Sequence, residues 1–440
     1  MTTPEKRVYY GWVIVAIGCG TMLFVQGSFA SSGVLFAALT QEYGWSRATT
    51  SLPFSVALIG YASLTWLSGR LFDRYGPRRL FPLGALCLGL GLILSAQART
   101  PWQLCLTWGV LVGQGLNLIG FVPHLTQMSL WFHQRRGLAS GLVLSGASMG
   151  TLILVPGLQY AVNSYGWRLA YTVLGLLVLS VLMPLTALWQ RHRPADLGLY
   201  PDGAPAPPPA AVAAPAIGLA VTSWTLRGAM STRRFWYLFI MATCVGWLSN
   251  IINVHQIAHM VSNGSPSLLA AEIVAMMGLM RAVGSTFWGG LADRFGREDI
   301  YTAGICLCLG GLACLASLSP TAPGWLLYGY AIAYGLGFGV HGAVESTATA
   351  DIFHGPHLGA ILGALELGWG LGGFLGSWFG GSWYDHWGSY HGAFALTMAV
   401  SLLGCLALWL AAPRHSRVRV PRTSREWPNF HRAGRHGRSQ

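Results

Sequence analysis

The stretch GRLFDRYGPRR, Gly69 to Arg79, decides how the rest of the chain is read. Its frame of glycine, Asp-Arg, aromatic, glycine and arginine returns in GGLADRFGRED, Gly289 to Asp299, and Asp293 follows Asp73 by 293 − 73 = 220 residues. Each copy joins the end of one long apolar run to the start of the next, so each reads as a short charged turn between two membrane helices. Two copies half a chain apart predict two parallel bundles, where a soluble repeat protein would place many units at shorter periods.

Composition points the same way. Of 440 residues, 53% are hydrophobic and 9% charged, against roughly a quarter charged in a soluble chain. Apolar stretches long enough to cross a hydrocarbon core of about 30 Å cover residues 12–38, 49–69, 80–97, 102–128, 138–162, 169–190, 235–260, 268–290, 300–318, 324–350, 357–381 and 391–412. The expected fold is all-α and membrane-integral, with twelve transmembrane helices in two six-helix bundles. Residues 1–190 form the N-terminal bundle, 191–234 a cytoplasmic linker, 235–412 the C-terminal bundle and 413–440 a basic tail.

The net charge of +13 raises the question of nucleic acid, and its distribution answers it. With the amino terminus inside, the cytoplasmic segments hold 23 of the 27 Lys and Arg, and only Arg47, Arg99 and Arg168 fall in outer turns. This is the positive-inside asymmetry that sets topology. An even number of spans then puts both termini in the cytoplasm of a protein that crosses the inner (plasma) membrane many times. The bilayer is the partner these charges predict, and nucleic acid is not; a functional monomer is expected. The eight cysteines all lie within apolar spans without CxxC spacing, so they read as small packing residues. Lys6 and Arg7 precede an apolar run as in a signal peptide, but the run continues to Ala38 and reads as span one.

Within the spans, polar residues stand out. Gln114, Asn117 and His124 in span four either line a polar cavity or form interhelical hydrogen bonds. Pro156 in span five predicts a kink. Gly372, Gly376 and Gly380 lie on one stripe of span eleven, which lets another helix approach closely. Between the halves, APAPPPAAVAAPA from Ala204 to Ala216 is a semi-rigid linker, and the segment TSWTLRGAMSTRRFWYL after it predicts a short amphipathic helix. The Arg-rich tail reads as disordered beside the anionic inner leaflet.

Four ionisable residues inside spans carry the functional reading: Arg281 in span eight, His341 and Glu345 in span ten, and Glu366 in span eleven. A charge near the middle of a span costs at least roughly 2.5 to 3.5 kcal/mol by insertion scales, so Arg281 needs compensation. The candidates are an ion pair with Glu366 or Glu345, and an anionic substrate whose carboxylate a guanidinium grips with two parallel hydrogen bonds. Glu366 and Glu345 are proton-coupling or counter-charge candidates. His341 lies one turn before Glu345 and could share a proton with it, or simply pack. Asn117 and Gln114 are candidate substrate contacts.

Enzymatic readings find no support. The only lysine is Lys6, so a GxxxxGK[ST] phosphate loop is excluded. No HExxH spacing occurs, and His255 and His259, at i and i+4, lack a third ligand. Neither a metal nor a cofactor is expected.

With its position between spans two and three and its copy between eight and nine, GRLFDRYGPRR resembles the signature loop of the major facilitator superfamily. The segments YYGWVIV, EYGWSRA, WFHQRRGLASG, YGWRLAY and DHWGSYHGAF are similar to the bacterial monocarboxylate transporter and oxalate/formate antiporter-like branch, from Tyr9 to about Pro413. The resemblance implies two six-helix bundles around one central site that alternates between inward-open and outward-open states. It also implies a gating motif at the cytoplasmic side: Gly69, Asp73, Arg74, Gly76 and Arg78, with Asp293, Arg294 and Gly296 in the second copy. Two departures bear on the substrate. The position eight residues before Asp293, where the branch often carries arginine, is Ser285, one turn beyond Arg281, which makes Ser285 a further candidate contact. Span one has no lysine, and Glu366 stands in span eleven where a cation would be sought.

The expected function is secondary transport of a small organic anion, a carboxylate, coupled to protons or exchanging one anion for another. Such coupling makes it a symporter or an antiporter; the alternatives are efflux of a neutral or cationic compound and, from another class, a membrane sensor that does not transport.

Overall fold

The computed structural model describes residues 9–132, 135–203, 224–353 and 358–411. The proline-rich run, the basic tail and the side chains of Asp73, Asp293 and Arg294 lie outside the described set. Helices follow one another in the order α1 (Tyr10–Tyr43), α2 (Arg47–Tyr75), α3 (Pro77–Gln97), α4 (Pro101–Trp131), α5 (Arg136–Tyr165) and α6 (Trp167–Trp189). After the linker come α7 (Arg233–Ser262), α8 (Ser267–Phe295), α9 (Arg297–Ala316), α10 (Trp325–Phe338 and Val340–Ile352), α11 (Leu358–Trp387) and α12 (His391–Ala411).

Local chemistry explains where these helices start. The Ser46 hydroxyl accepts from the Thr49 amide at the head of α2, Thr100 and Gln103 form a reciprocal capping box before α4, and Thr232 accepts from Phe235 at the head of α7. Ten of the helices are long and apolar enough to cross a membrane. The other two, α2 and α10, occupy the places of spans two and ten. α2 carries Arg47, Arg70, Asp73 and Arg74 along its 29 residues, and α10 breaks at Gly339 into pieces of 14 and 13.

The internal repeat extends beyond the loop that revealed it. Helices α2 and α8 are both 29 residues long and start 267 − 47 = 220 residues apart. They end on glycines with positive φ, Gly76 (φ 68) and Gly296 (φ 112), again 296 − 76 = 220 apart, and Gly44 and Gly264 repeat the relation one turn earlier, 264 − 44 = 220. An L side chain is strained at such φ, so both halves use glycine to reverse the chain at equivalent places.

Packing also divides in two. One core runs from Ile14 to Leu182 and the other from Ala229 to Ala411. A few residues cross between them: Val254 and Ala258 pack into the first, Ala30, Val34 and Val155 into the second. Three expectations are refined. Pro156 lies inside an unbroken α5. Of the described part of the segment before α7, Leu226–Met230 forms a separate short helix, Ser231 and Thr232 turn the chain, and Arg233 onward belongs to α7. The stripe of Gly372 and Gly376 faces Thr243 and Trp247 of α7 in the same half, while the contact of α11 with α2 of the other half runs through Gly370, Gly373 and Gly381.

Candidate functional site

Helix α8 shows which way Arg281 faces. Its exposed Leu279, Val283 and Phe287 recur every four residues and form a lipid-facing stripe. Arg281 and Ser285, also four apart, lie about 180° round the helix at roughly 100° per residue, and both are exposed. Gly278, on their side, abuts Thr151 of α5 in the other half. Arg281 and Ser285 are thus exposed on the face of α8 that is turned towards the other half. The Arg281 guanidinium lies 4.4 Å from the centroid of the Phe338 ring, a cation–π seat. Among the described residues its side chain makes no salt bridge, so the structure does not bring it together with Glu366 or Glu345.

Helix α10 carries the next residues in order. His341 is 3% exposed and sits between the rings of Tyr301 and Phe338, at centroid separations of 5.2 and 4.6 Å. Neither of its ring nitrogens has a hydrogen-bond partner. Half-buried Glu345 lies one turn further, within electrostatic reach of Tyr301 and of Glu366. Glu366 stands one turn before Gly370, which packs on Ala62 of α2, and it lies within electrostatic reach of Tyr61 from that helix. Tyr61 in turn meets Trp369 edge-on at 6.3 Å. Among the described residues neither acid makes a salt bridge with Arg281.

The polar residues of α4 divide. Asn117 is 2% exposed and its amide donates to the Tyr61 carbonyl at 3.3 Å, an interhelical hydrogen bond. Gln114, half-buried, places its amide nitrogen beside Gly60 of α2. His124 is fully buried, stacked on Phe81 and bonded through Nδ1 to the Gly120 carbonyl at 3.0 Å. Upstream of these, Cys105–Val112 winds as a π-helix, a form frequent at functional sites.

At the arginine-rich end, each signature loop is tied within its own half. Arg78 donates through Nε to the Ala187 carbonyl of α6 at 3.3 Å, and Arg297 pairs with Asp351 of α10 at 2.7 Å. Exposed Arg74 lies 5.3 Å from the Tyr75 ring centroid, and no side chain approaches where a Cβ on Gly69 would stand. A cavity of about 550 Å³ lined by Arg78, Arg79, Arg191, His192 and Asp196 opens here, on the first half alone and away from Arg281.

The opposite end holds an arrangement that the sequence reading missed. Both carboxylate oxygens of Asp385, at the end of α11, accept backbone amides at the head of α2: Arg47 N–H at 2.7 Å and Ala48 N–H at 2.8 Å. One half thus caps a helix of the other. The Arg47 guanidinium lies 3.5 Å over the Tyr384 ring and donates to the Tyr390 hydroxyl at 2.7 Å. Tyr390, in the turn before α12, contacts Nδ1 of His255 at 3.1 Å, and Nε2 of His255 contacts the Ser377 carbonyl at 2.7 Å. Burial raises the pKa of the Tyr390 hydroxyl above the usual phenol range, against the pull of Arg47, so the tyrosine donates to Nδ1 and the other ring nitrogen donates to the carbonyl. Asn253 of α7 reaches the Ser32 hydroxyl of α1 at 2.9 Å, and Asn163 of α5 reaches Ser267 of α8 at 3.1 Å. These bonds close the halves on each other at the arginine-poor end. The sequence signal was available in EYGWSRA and DHWGSYHGAF, each with a charge at the outer end of its span. His255 and His259, weighed above as metal ligands, are held by the Ser377, Tyr390 and Leu315 partners.

Residues 17–343 and 238–436 match the family model of the Major Facilitator Superfamily. The chain belongs to this superfamily. Relatives include monocarboxylate transporter 11 of Mus musculus, 30% identical over 65% of this chain and 60% of its own, and the MFS-type transporter opdF of Penicillium oxalicum, 25% identical over 76% and 74%. The match thus spans about 60% of the mouse relative's length. In fold, the chain is similar to a bacterial homologue of the human lysosomal transporter Spinster in an inward-facing, unoccupied conformation, with a TM-score of 0.70 at 16% identity, covering 95% of this chain and 99% of that one. The nucleoside transporter NupG is similar at a TM-score of 0.69 and 13% identity. The chain carries many helices long and apolar enough to cross a membrane, and within this transporter superfamily it resembles the monocarboxylate transporter branch.

Proposed function

We propose that this facilitator carries a small organic anion, a carboxylate, by alternating access across twelve spans, with both termini and the 191–234 linker in the cytoplasm of the cell that bears it. The observation that carries the reading is Arg281: an exposed guanidinium on the face of α8 turned towards the other half, with an aromatic ring beneath it and, among the described residues, no salt bridge to a carboxylate. A fixed cation that the protein itself leaves without an ion pair attracts an anion, and the planar fork suits a carboxylate. The names of the monocarboxylate transporter relatives support the substrate class. Glu345 and Glu366 would couple the movement to protons, or exchange of anions would replace that coupling. Closure at the arginine-poor end fits a state open to the cytoplasm, as does the likeness to an inward-facing neighbour.

The alternative, efflux of a neutral or cationic compound, draws on the same acid pair. Purified protein in liposomes, given labelled carboxylates, sugars and cationic drugs under imposed pH gradients, separates the two. Carboxylate uptake that Arg281→Lys reduces at least tenfold is the expected result. Transport of cations alone would overturn it.

A further inference from the structure

The arginine-lined cavity beside α3 and α6 is charged without being neutralised. Its volume is about 550 Å³, and Arg78 and Arg79 from the head of α3 line it together with Arg191 just beyond α6 and one acid, Asp196. The acid is engaged elsewhere: its Oδ2 accepts the backbone amides of His192 and Arg193 at 3.1 and 3.0 Å. Among the described residues none of the three arginines makes a salt bridge. Arg78 and Arg191 are tied to the end of α6. Arg78 Nε donates to the Ala187 carbonyl, and one terminal nitrogen of Arg191 donates to the Leu188 and Gln190 carbonyls at 2.8 Å each. Capping these carbonyls accounts for two guanidiniums and leaves most of their N–H donors unused. Arg79 makes no hydrogen bond among the described residues, so capping does not account for it.

Three unneutralised guanidiniums around one space call for an anion, and the surfaces leading to the cavity select its kind. Helices α3 and α6 pack on each other where Gly89 meets Leu179 and Gly175 meets Ile93. Each also turns an apolar stripe outward. On α3 the exposed Leu83, Leu90 and Leu94 stand at helical spacing, and Arg79 continues their stripe one turn beyond Leu83. On α6 the exposed Leu169, Val173, Leu177 and Val181 recur every four residues. Exposed Leu188 follows two turns further on, and its carbonyl is one that Arg191 holds. Surface that faces lipid on both helices thus runs up to the residues around the cavity. Exposed Tyr75 and Trp189 stand at the same end, as aromatic side chains do at headgroup level. A free anion has no use for the leucine stripes, whereas an anion that carries hydrocarbon chains covers them.

We infer that this cavity binds the phosphate headgroup of an anionic phospholipid, whose acyl chains lie along the exposed leucines of α3 and α6. Guanidinium forks hold phosphate oxygens in pairs, and basic pockets between membrane helices on the cytoplasmic side suit acidic headgroups. The leaflet, though not the site, rests on the cytoplasmic placement of this end proposed above; the site is independent of Arg281 and of the solute carried. Native mass spectrometry of the purified full-length protein, offered phosphatidylglycerol and phosphatidylcholine together, counts the lipids bound. The parent should prefer the first phosphatidylglycerol by at least roughly tenfold, since each arginine near an acidic headgroup is worth about fivefold. Arg79→Gln breaks no bond of the fold and should cut the preference about fivefold, and Arg191→Gln should cut it from the other side of the cavity. Arg193→Gln removes the same charge outside the lining and should leave the preference near that of the parent. Thermal unfolding of the parent in detergent separates a lipid from a free anion: phosphatidylglycerol should raise the midpoint, and millimolar inorganic phosphate should not. Equal binding of the two lipids by the parent overturns the inference without any variant, as does the same preference in Arg79→Gln, Arg191→Gln and Arg193→Gln. A midpoint raised as far by inorganic phosphate as by phosphatidylglycerol overturns the membrane as the source of the ligand.

Discussion

At Arg281 the question is what compensates a guanidinium in a membrane interior, and the structure answers with an aromatic face and open space where an ion pair was one expectation. The answer changes what mutation should do. Removing one partner of a buried pair leaves an uncompensated charge and costs about 3 to 5 kcal/mol. No such partner is left behind here, so Arg281→Ala should unfold within a few degrees of the parent in detergent, and a second change, Glu366→Ala or Glu345→Ala, should bring no rescue. Arg281→Lys keeps the charge and loses the two-point grip, a loss of about 1.5 to 3 kcal/mol for hydrogen bonds to a charged group, or roughly ten- to a hundredfold in substrate affinity. Titration of ligand against tryptophan fluorescence measures it; a variant that binds as tightly as the parent sinks the assignment. Residues of this kind were legible in the sequence because a charge inside an apolar run is conspicuous. Their mutual distance was not, since it depends on which helix faces which. The same limit applies to Asn117, whose type left a cavity contact and an interhelical hydrogen bond both open and whose amide donates to the Tyr61 carbonyl.

Among the elements, the twelve runs and the signature turns were readable from hydropathy and from the duplicated loop, because helix length in a bilayer is fixed by its thickness. What composition does not carry is backbone winding, so the π-helical Cys105–Val112 and the break of α10 at Gly339 gave no warning. The duplicated turns make a testable pair. Gly76 adopts φ 68 with ψ 170, and Gly296 φ 112 with ψ 152, regions open essentially to glycine alone. Gly76→Ala and Gly296→Ala should therefore each destabilise the fold by about 1 to 3 kcal/mol, seen as lowered thermal midpoints. Gly69→Ala, inside α2 and with nothing within 4 Å of the added methyl, should be neutral or slightly stabilising. If all three behave alike, backbone strain is not what these two turns depend on.

For the whole molecule, the arginine asymmetry and the closed arginine-poor end lead to two predictions. Reporter fusions after Arg234 and after Pro413 should both give a cytoplasmic signal, and a signal from the other side at either point would mean that one helix does not cross. The second concerns the closure itself. Asp385 holds the first two amides of α2 with both oxygens, and its own helix belongs to the other half, so the bonds exist only while this end is shut. Such a contact biases the two states without touching the ligand. The carboxylate is exposed, so its charge is screened and the pair of bonds is worth about 1 kcal/mol, or about fivefold in the ratio of states. Asp385→Asn should accordingly shift the population towards opening at this end while leaving intrinsic substrate affinity unchanged, and Arg47→Ala should act in the same direction by removing the stack on Tyr384 and the bond to Tyr390. Spin labels at Tyr165 and Trp387, both exposed at this end and one in each half, read the separation by pulsed electron resonance once the eight native cysteines are replaced. A longer-distance component that grows several-fold in Asp385→Asn is the expected record, and distance distributions indistinguishable from the parent in both variants would mean that packing of α2 on α11 through Gly370 and Gly381 holds the end shut without the charged contacts.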